Sequence, residues 1–242
     1  MIESFDNSLL FRCSALGNIV TKSGKLTDGA MTYLDELFIG AVYGVRKEAY
    51  GKALEKGVVC EPEARAMLNH LYPDNFIKKV SESKKNDYLI GTSDVIIDGI
   101  VYDIKNAYDL FTFGKATLSH IYEWQLRGYM MLYDIPKARL FYCLCDMPDY
   151  LIAQEQKSMF YRERKWVSME DPDYLESCEV LHYAHKYSNM EIWERFKIWE
   201  IERTEESEEK IIKCVKQARE YLNSLLKEHN DRIAYNKQLL KL

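Results

Sequence analysis

Apolar side chains recur near helical spacing from residue 29 to 56, at Leu34, Leu37, Phe38, Val42, Val45 and Tyr50, and Gly57 is a plausible stop. The pattern predicts a second helix from about Cys60 to His70, with Pro62 tolerated in its first turn and Pro73 soon after its end. Residues 88–97 and 100–105 are rich in Ile, Val and Tyr and are joined by Asp98-Gly99, a strong signal for a two-residue hairpin. Helical spacing returns over 117–133, where Ile121, Trp124, Leu126, Tyr129, Met130 and Tyr133 form a broad apolar face. Further along, 138–145 reads as a buried strand, 149–165 as helix, 178–183 as a short strand and 188–240 as a long charged amphipathic helical region. Strands interleaved with helices in this order predict an α/β or α+β layer architecture with a mixed sheet.

The hairpin fixes a register. With Asp98-Gly99 as the turn, Ile97 pairs with Ile100, Ile96 with Val101, Val95 with Tyr102 and Asp94 with Asp103. Directly opposed residues have Cβ atoms about 4.5–5.5 Å apart, and like charges at that separation destabilise a sheet. A divalent cation is the obvious compensation. Alternation along the strands puts Asp94, Asp103 and Lys105 on one face and Val95, Ile97, Ile100, Tyr102 and Ile104 on the other. The second face is core. The first combines oxygen ligands for a hard cation with an ammonium two residues away, the set needed to hydrolyse a phosphodiester.

Charge and composition narrow the picture. The 242 residues, 47% of them hydrophobic, suit one compact domain or one domain with a helical extension. A formal net charge of −5 argues against a protein that coats nucleic acid by electrostatics alone. Any DNA contact must then be local, and 46–56 and 78–85 are candidate basic patches. Six scattered cysteines without CxxC spacing indicate neither a zinc site nor a disulfide framework. The acidic start Met1-Ile-Glu-Ser-Phe-Asp-Asn and the lack of a membrane-length apolar run predict a soluble cytoplasmic protein without membrane partners.

Four segments in order, Gly57-Val-Val-Cys-Glu61-Pro-Glu-Ala-Arg65, Gly91-Thr-Ser-Asp94, Asp103-Ile-Lys105 and Gln125-Leu-Arg-Gly-Tyr129, resemble the PD-(D/E)xK nucleases. The likeness is to the branch containing phage lambda exonuclease and the YqaJ-type viral recombinases, and it covers roughly residues 11–146. It implies a restriction-endonuclease-like core over residues 1–186, with 187–242 a C-terminal helical extension packed on or projecting from the domain. It also implies a catalytic set of Glu61, Asp94, Asp103, Lys105 and Gln125. The implied metal set is Asp94, Asp103, Ile104 and Glu61, holding Mg²⁺ with Mn²⁺ able to substitute. Glu63 is the lesser candidate beside Glu61, and Arg65 one turn later can pair with Glu61. Gln125 and Tyr129 match a QxxxY element, one helical turn apart, which in the family lies beside the active site and contacts DNA or the catalytic lysine.

Phe11-Arg12-Cys13-Ser14-Ala15 is similar to the segment that receives a terminal 5′-phosphate in lambda-type enzymes, which implies DNA contacts for Arg12 and Ser14 beside Arg65 and Tyr129. The third motif begins with Asp where lambda-type enzymes have Glu, and Asn106 after Lys105 has no reading. No cysteine group frames the core, so no iron–sulfur cluster is expected. The implied function is Mg²⁺-dependent exonuclease action on linear double-stranded DNA, 5′-to-3′, in phage-type recombination inside a host cell. A single-strand annealing recombinase and a ring-shaped homo-oligomer are the implied partners. The alternatives are an endonuclease on the same fold and an inactive nucleic-acid or protein-interaction module.

Overall fold

The computed structural model describes residues 2, 4–6, 9–21, 23–45, 47, 50–74 and 80–240. Strand β1 (Phe11–Arg12) leads through a 3₁₀ turn (Cys13–Ala15) into α1 (Leu16–Ile19), followed by α2 (Asp28–Tyr43), α3 (Lys52–Val59) and α4 (Glu61–Leu71). Next come β2 (Lys84–Lys85), β3 (Leu89–Gly91), β4 (Val95–Ile97), β5 (Ile100–Asn106), α5 (Leu110–Lys115) and α6 (His120–Tyr133). The chain ends with β6 (Lys137–Cys143), α7 (Asp149–Glu163), α8 (Pro172–Tyr183), β7 (Phe196–Glu202) and α9 (Glu205–Leu240). The candidate basic patches at 46–56 and 78–85 lie partly outside the described residues.

A four-stranded mixed sheet runs β4-β5-β6-β7, with β5 and β6 parallel, and a small mixed sheet runs β1-β3-β2. The hairpin forms in the predicted register: Val95 pairs with Tyr102, Ile96 with Val101 and Ile97 with Ile100. Asp98 and Gly99 both have positive φ, 49° and 74°, the left-handed pair that a two-residue turn between twisted strands requires.

Helices cover both faces of the large sheet. On one, Ala64, Met67 and Leu68 of α4 pack against Val95, Ile97, Tyr102 and Ile104 of the predicted apolar face and against Phe141, with Ile100 of that face beside them. On the other, Leu126 and Met130 of α6 and a stripe of α9 that includes Ile211, Val215, Leu222 and Leu226 join Val101, Ala138 and Leu140 in the main core. Arg219 of α9 is buried and donates to the carbonyls of Leu9 and Asp87, tying the last helix to the starts of β1 and β3.

Four stretches depart from the sequence reading. The helix expected over 29–56 ends at Tyr43, because Gly44 takes a left-handed conformation (φ 70°) and closes the helix onto the Gly40 carbonyl. The strand expected over 88–97 is two strands in two sheets, separated by Thr92, Ser93 and Asp94. Residues 178–183 are helical, part of α8. Asp171 caps that helix by accepting from Asp173 N at 3.0 Å, and Pro172 opens its first turn. Within the region read as helical from 188 to 240, Phe196–Glu202 is a strand paired antiparallel with all seven residues of β6. No helix among the described residues is long and apolar enough to cross a membrane.

Candidate active site

Strand β5 is the axis of the site. Its hydrogen-bonded neighbours β4 and β6 hold it straight, so Asp103 and Lys105 point to the α6 side while Tyr102 and Ile104 point to α4. The α6 side is a packed interface, and Asp103 is only 1% exposed there. Burial pushes its carboxyl up to about 6, with Lys105 pulling it down and Asp94 adding to the rise. The Lys105 ammonium sits 2.7 Å from Asp103 Oδ2. The ammonium is the partner of this otherwise unmet buried oxygen. Burial pulls the lysine down, yet its pairing with Asp103 leaves it above its usual value.

The other carboxylates are held as firmly. The β4–β5 ladder stops at Val95 and Tyr102, so Asp94 lies one residue beyond it and the paired Asp94–Asp103 rung expected from the register does not form. Because Thr92 to Asp94 leave the strand to reach the small sheet, Asp94 is free to turn, and its Oδ2 accepts from Ile104 N at 2.7 Å. Glu61, first residue of α4, pairs with Arg65 Nη2 at 2.5 Å, one turn later. Glu63 instead pairs with Arg195 Nη2 at 3.0 Å.

A cleft of about 630 Å³ brings the set together, with Glu61, Asp94, Ile104 and Lys105 on its wall and Asp103 ion-paired to Lys105. Glu63 does not line it. Asn106, which had no reading in the sequence, does; its side-chain carbonyl accepts from Cys145 N at 3.4 Å. Sequence reasoning also missed the aromatic and apolar wall of Tyr108, Tyr122, Tyr142, Leu54 and Val58. Tyr122 carried a signal, since it stands three residues before Gln125 on the same helix; Lys105 Nζ lies 5.6 Å from its ring centre.

Gln125 connects this cleft to a second cavity. Its Nε2 donates to Asp103 Oδ1 at 2.9 Å and to the Tyr129 hydroxyl at 3.0 Å. Burial and the nearby Asp103 raise the Tyr129 phenol. Tyr129 lines a cavity of about 360 Å³ together with Arg12, Ser14, Gly91 and Thr92. A Cβ on Gly91 would lie 2.9 Å from Cys13 Sγ and 3.0 Å from Tyr129 Cε1, so only glycine lets the tyrosine ring close over this strand.

The donor set tests whether a metal suits the cleft. Asp94, Asp103, Glu61 and the Ile104 backbone are all-oxygen donors, as Mg²⁺ and Mn²⁺ prefer, and the buried Asp103 Oδ2 still lacks a directed hydrogen bond. The residues therefore fit a hard cation in the chemistry of their donors. Their oxygens are now engaged by Lys105, Gln125, Arg65 and Ile104 N, and no three acidic, His or Cys side chains among the described residues converge as a ready-made cluster. The six cysteines are free, five of them buried.

Neither family descriptions nor curated proteins give a match to the sequence. Solved structures do. A phage-related exonuclease from Haemophilus somnus superposes with a TM-score of 0.72 at 22% identity, covering 91% of this chain and 96% of that one. The alkaline exonuclease LHK-Exo from Laribacter hongkongensis gives 0.60 at 15% identity over 93% of this chain and 94% of its own. A second structure of LHK-Exo, in complex with dAMP, gives 0.55 at 16% identity over 96% and 93%. The chain has the fold of these exonucleases, and that likeness extends over nearly its whole length, well beyond the four motifs.

Proposed function

We propose that this protein is a metal-dependent deoxyribonuclease that hydrolyses phosphodiester bonds of linear duplex DNA from an end, 5′-to-3′. The observation that carries the proposal is the meeting of Glu61, Asp94, Ile104 and Lys105 on one cleft wall, with Asp103 ion-paired to Lys105. The fold shared with exonucleases, one of them solved with dAMP, supports it.

Asp94, Asp103, Glu61 and the Ile104 backbone are the groups that would hold Mg²⁺. When bound, the ion supplies charge neutralisation at the scissile phosphate and a more acidic water. The chain's own groups do the rest. Lys105 faces the phosphate and the attacking oxygen, where an ammonium stabilises developing negative charge. Asp103 keeps that ammonium in place and charged, Gln125 keeps Asp103 oriented, and Arg65 fixes Glu61. The half-buried Tyr108 and Tyr122 offer aromatic surface for the sugar and base of the nucleotide being removed. Arg12 and Ser14 would receive the terminal phosphate in the second cavity.

End-wise resection in a host cell's cytoplasm would deliver single-stranded DNA to an annealing recombinase. Assembly into a ring would let a chain of net charge −5 gather its basic groups around the duplex. The test is cleavage of a linear duplex with different ions. Mg²⁺ and Mn²⁺ should support it, while Ca²⁺, larger and looser in its geometry, should support binding with little cleavage. Full activity in excess EDTA would remove the metal from the mechanism.

A further inference from the structure

Lys56 of α3 is fully buried, the most deeply enclosed charged side chain among the described residues. Its ammonium donates to the carbonyls of Ala107 at 3.0 Å and Tyr108 at 2.9 Å and lies 5.4 Å from the centre of the Tyr187 ring. Neither hydrogen-bond acceptor is a carboxylate, and burial lowers the lysine from its usual value. Burying an ammonium against neutral acceptors is expensive, and an apolar side chain of the same length would fill the space at lower cost. The location of the two acceptors offers a reason. They are the first two residues after β5, directly following Lys105 and Asn106 on the cleft wall.

A second lysine on the same helix ends at the same place. Lys52, one turn before Lys56, pairs with Glu155 of α7 at 2.9 Å, and the Tyr108 hydroxyl donates to the same Glu155 oxygen. Tyr108 is thus gripped at its backbone by Lys56 and at its phenol through Lys52 and Glu155. Leu54 and Val58, on the solvent side of α3, line the cleft together with Tyr108.

We infer that Lys56 is a positioning residue that clamps the exit of β5, holding Lys105 and Tyr108 in one cleft-facing arrangement. The inference rests on the nuclease reading for its effect on turnover and on geometry alone for its effect on the backbone. Lys56→Met keeps the volume and removes both hydrogen bonds. It should fold with a melting temperature within a few degrees of wild type, relief of the buried ammonium offsetting the two carbonyls left without a donor. On linear duplex with Mg²⁺, kcat should drop by about 10–100-fold, as expected for a slight misplacement of the reacting groups. KM for DNA should stay within about threefold, because the residue touches no substrate.

Amide hydrogen exchange over residues 104–110 should speed up by about tenfold or more in the variant, reporting local opening that intact global stability does not explain. A merely structural lysine would lower melting temperature and activity together and leave local exchange in step with global stability. If wild type cleaves nothing, the nuclease reading fails by itself, and the exchange measurement still decides the clamp. Should Lys56→Met not fold, Lys56→Gln, uncharged but still a donor, is read by the same two measurements. A folded variant with wild-type exchange over 104–110, or with wild-type kcat where the wild type is active, overturns the inference.

Discussion

The Gln125 side-chain amide lies 2.9 Å from the buried Asp103 carboxylate, and the same nitrogen reaches the Tyr129 hydroxyl at 3.0 Å. One amide therefore orients the carboxylate of the cleft and joins it to the cavity that holds Arg12 and Ser14. Gln125→Leu should strip the buried Asp103 of its only neutral side-chain donor among the described residues. A buried acceptor left unmet costs about 1–3 kcal/mol. Urea denaturation of the variant should show a loss in that range, with cleavage reduced in parallel with Asp103 misorientation. A variant with wild-type stability and rate would remove Gln125 from the site.

Asp94→Asn separates charge from hydrogen bonding. The asparagine carbonyl can still accept from Ile104 N, the bond that Asp94 makes at 2.7 Å, while the negative charge near Asp103 disappears. Metal-free stability should be unchanged or slightly raised, and Mg²⁺-dependent cleavage should be abolished. Near-normal activity at saturating metal would show that the site has been wrongly assigned.

Lys105→Ala should lower turnover much more than DNA affinity, by about 10²–10⁴-fold in kcat, the usual worth of a positioned proton-transfer or charge-stabilising group. The measurement is single-turnover cleavage beside equilibrium binding in Ca²⁺. Weak binding with normal cleavage of bound DNA would make Lys105 a plain phosphate anchor.

Arg12 tests the end-binding cavity. A guanidinium grips two phosphate oxygens at once, so a duplex with a 5′-phosphate should be digested faster than one with a 5′-hydroxyl, and Arg12→Ala should erase the difference. Equal rates on both ends in the wild type would sink this role.

The hairpin was legible in the sequence because Asp98-Gly99 dictates both turn type and register, and everything from Val95 to Tyr102 follows from it. Helix α6 was legible from the spacing of Trp124, Leu126 and Met130. What the sequence hid was tertiary. Local pattern gives the face of Asp103 but not the α6 packing that buries it, and so not the rise of its carboxyl. Alternation in Phe196–Glu202 was lost in a charged surrounding that suggested helix, although the strand is completed by pairing with β6. Tyr108 and Lys56 stayed invisible because no local spacing announces a contact between a helix and the end of a strand 51 residues later.

The most direct measurement compares a linear duplex with the same sequence as a covalently closed circle, using wild type and Asp94→Asn, with Mg²⁺ and with EDTA. The expected result is degradation of the linear duplex by wild type in Mg²⁺ only, an untouched circle, and no cleavage by Asp94→Asn. Cutting of the closed circle would contradict end-wise action and make the protein an endonuclease, and cleavage that survives EDTA or Asp94→Asn would contradict the metal-dependent site itself.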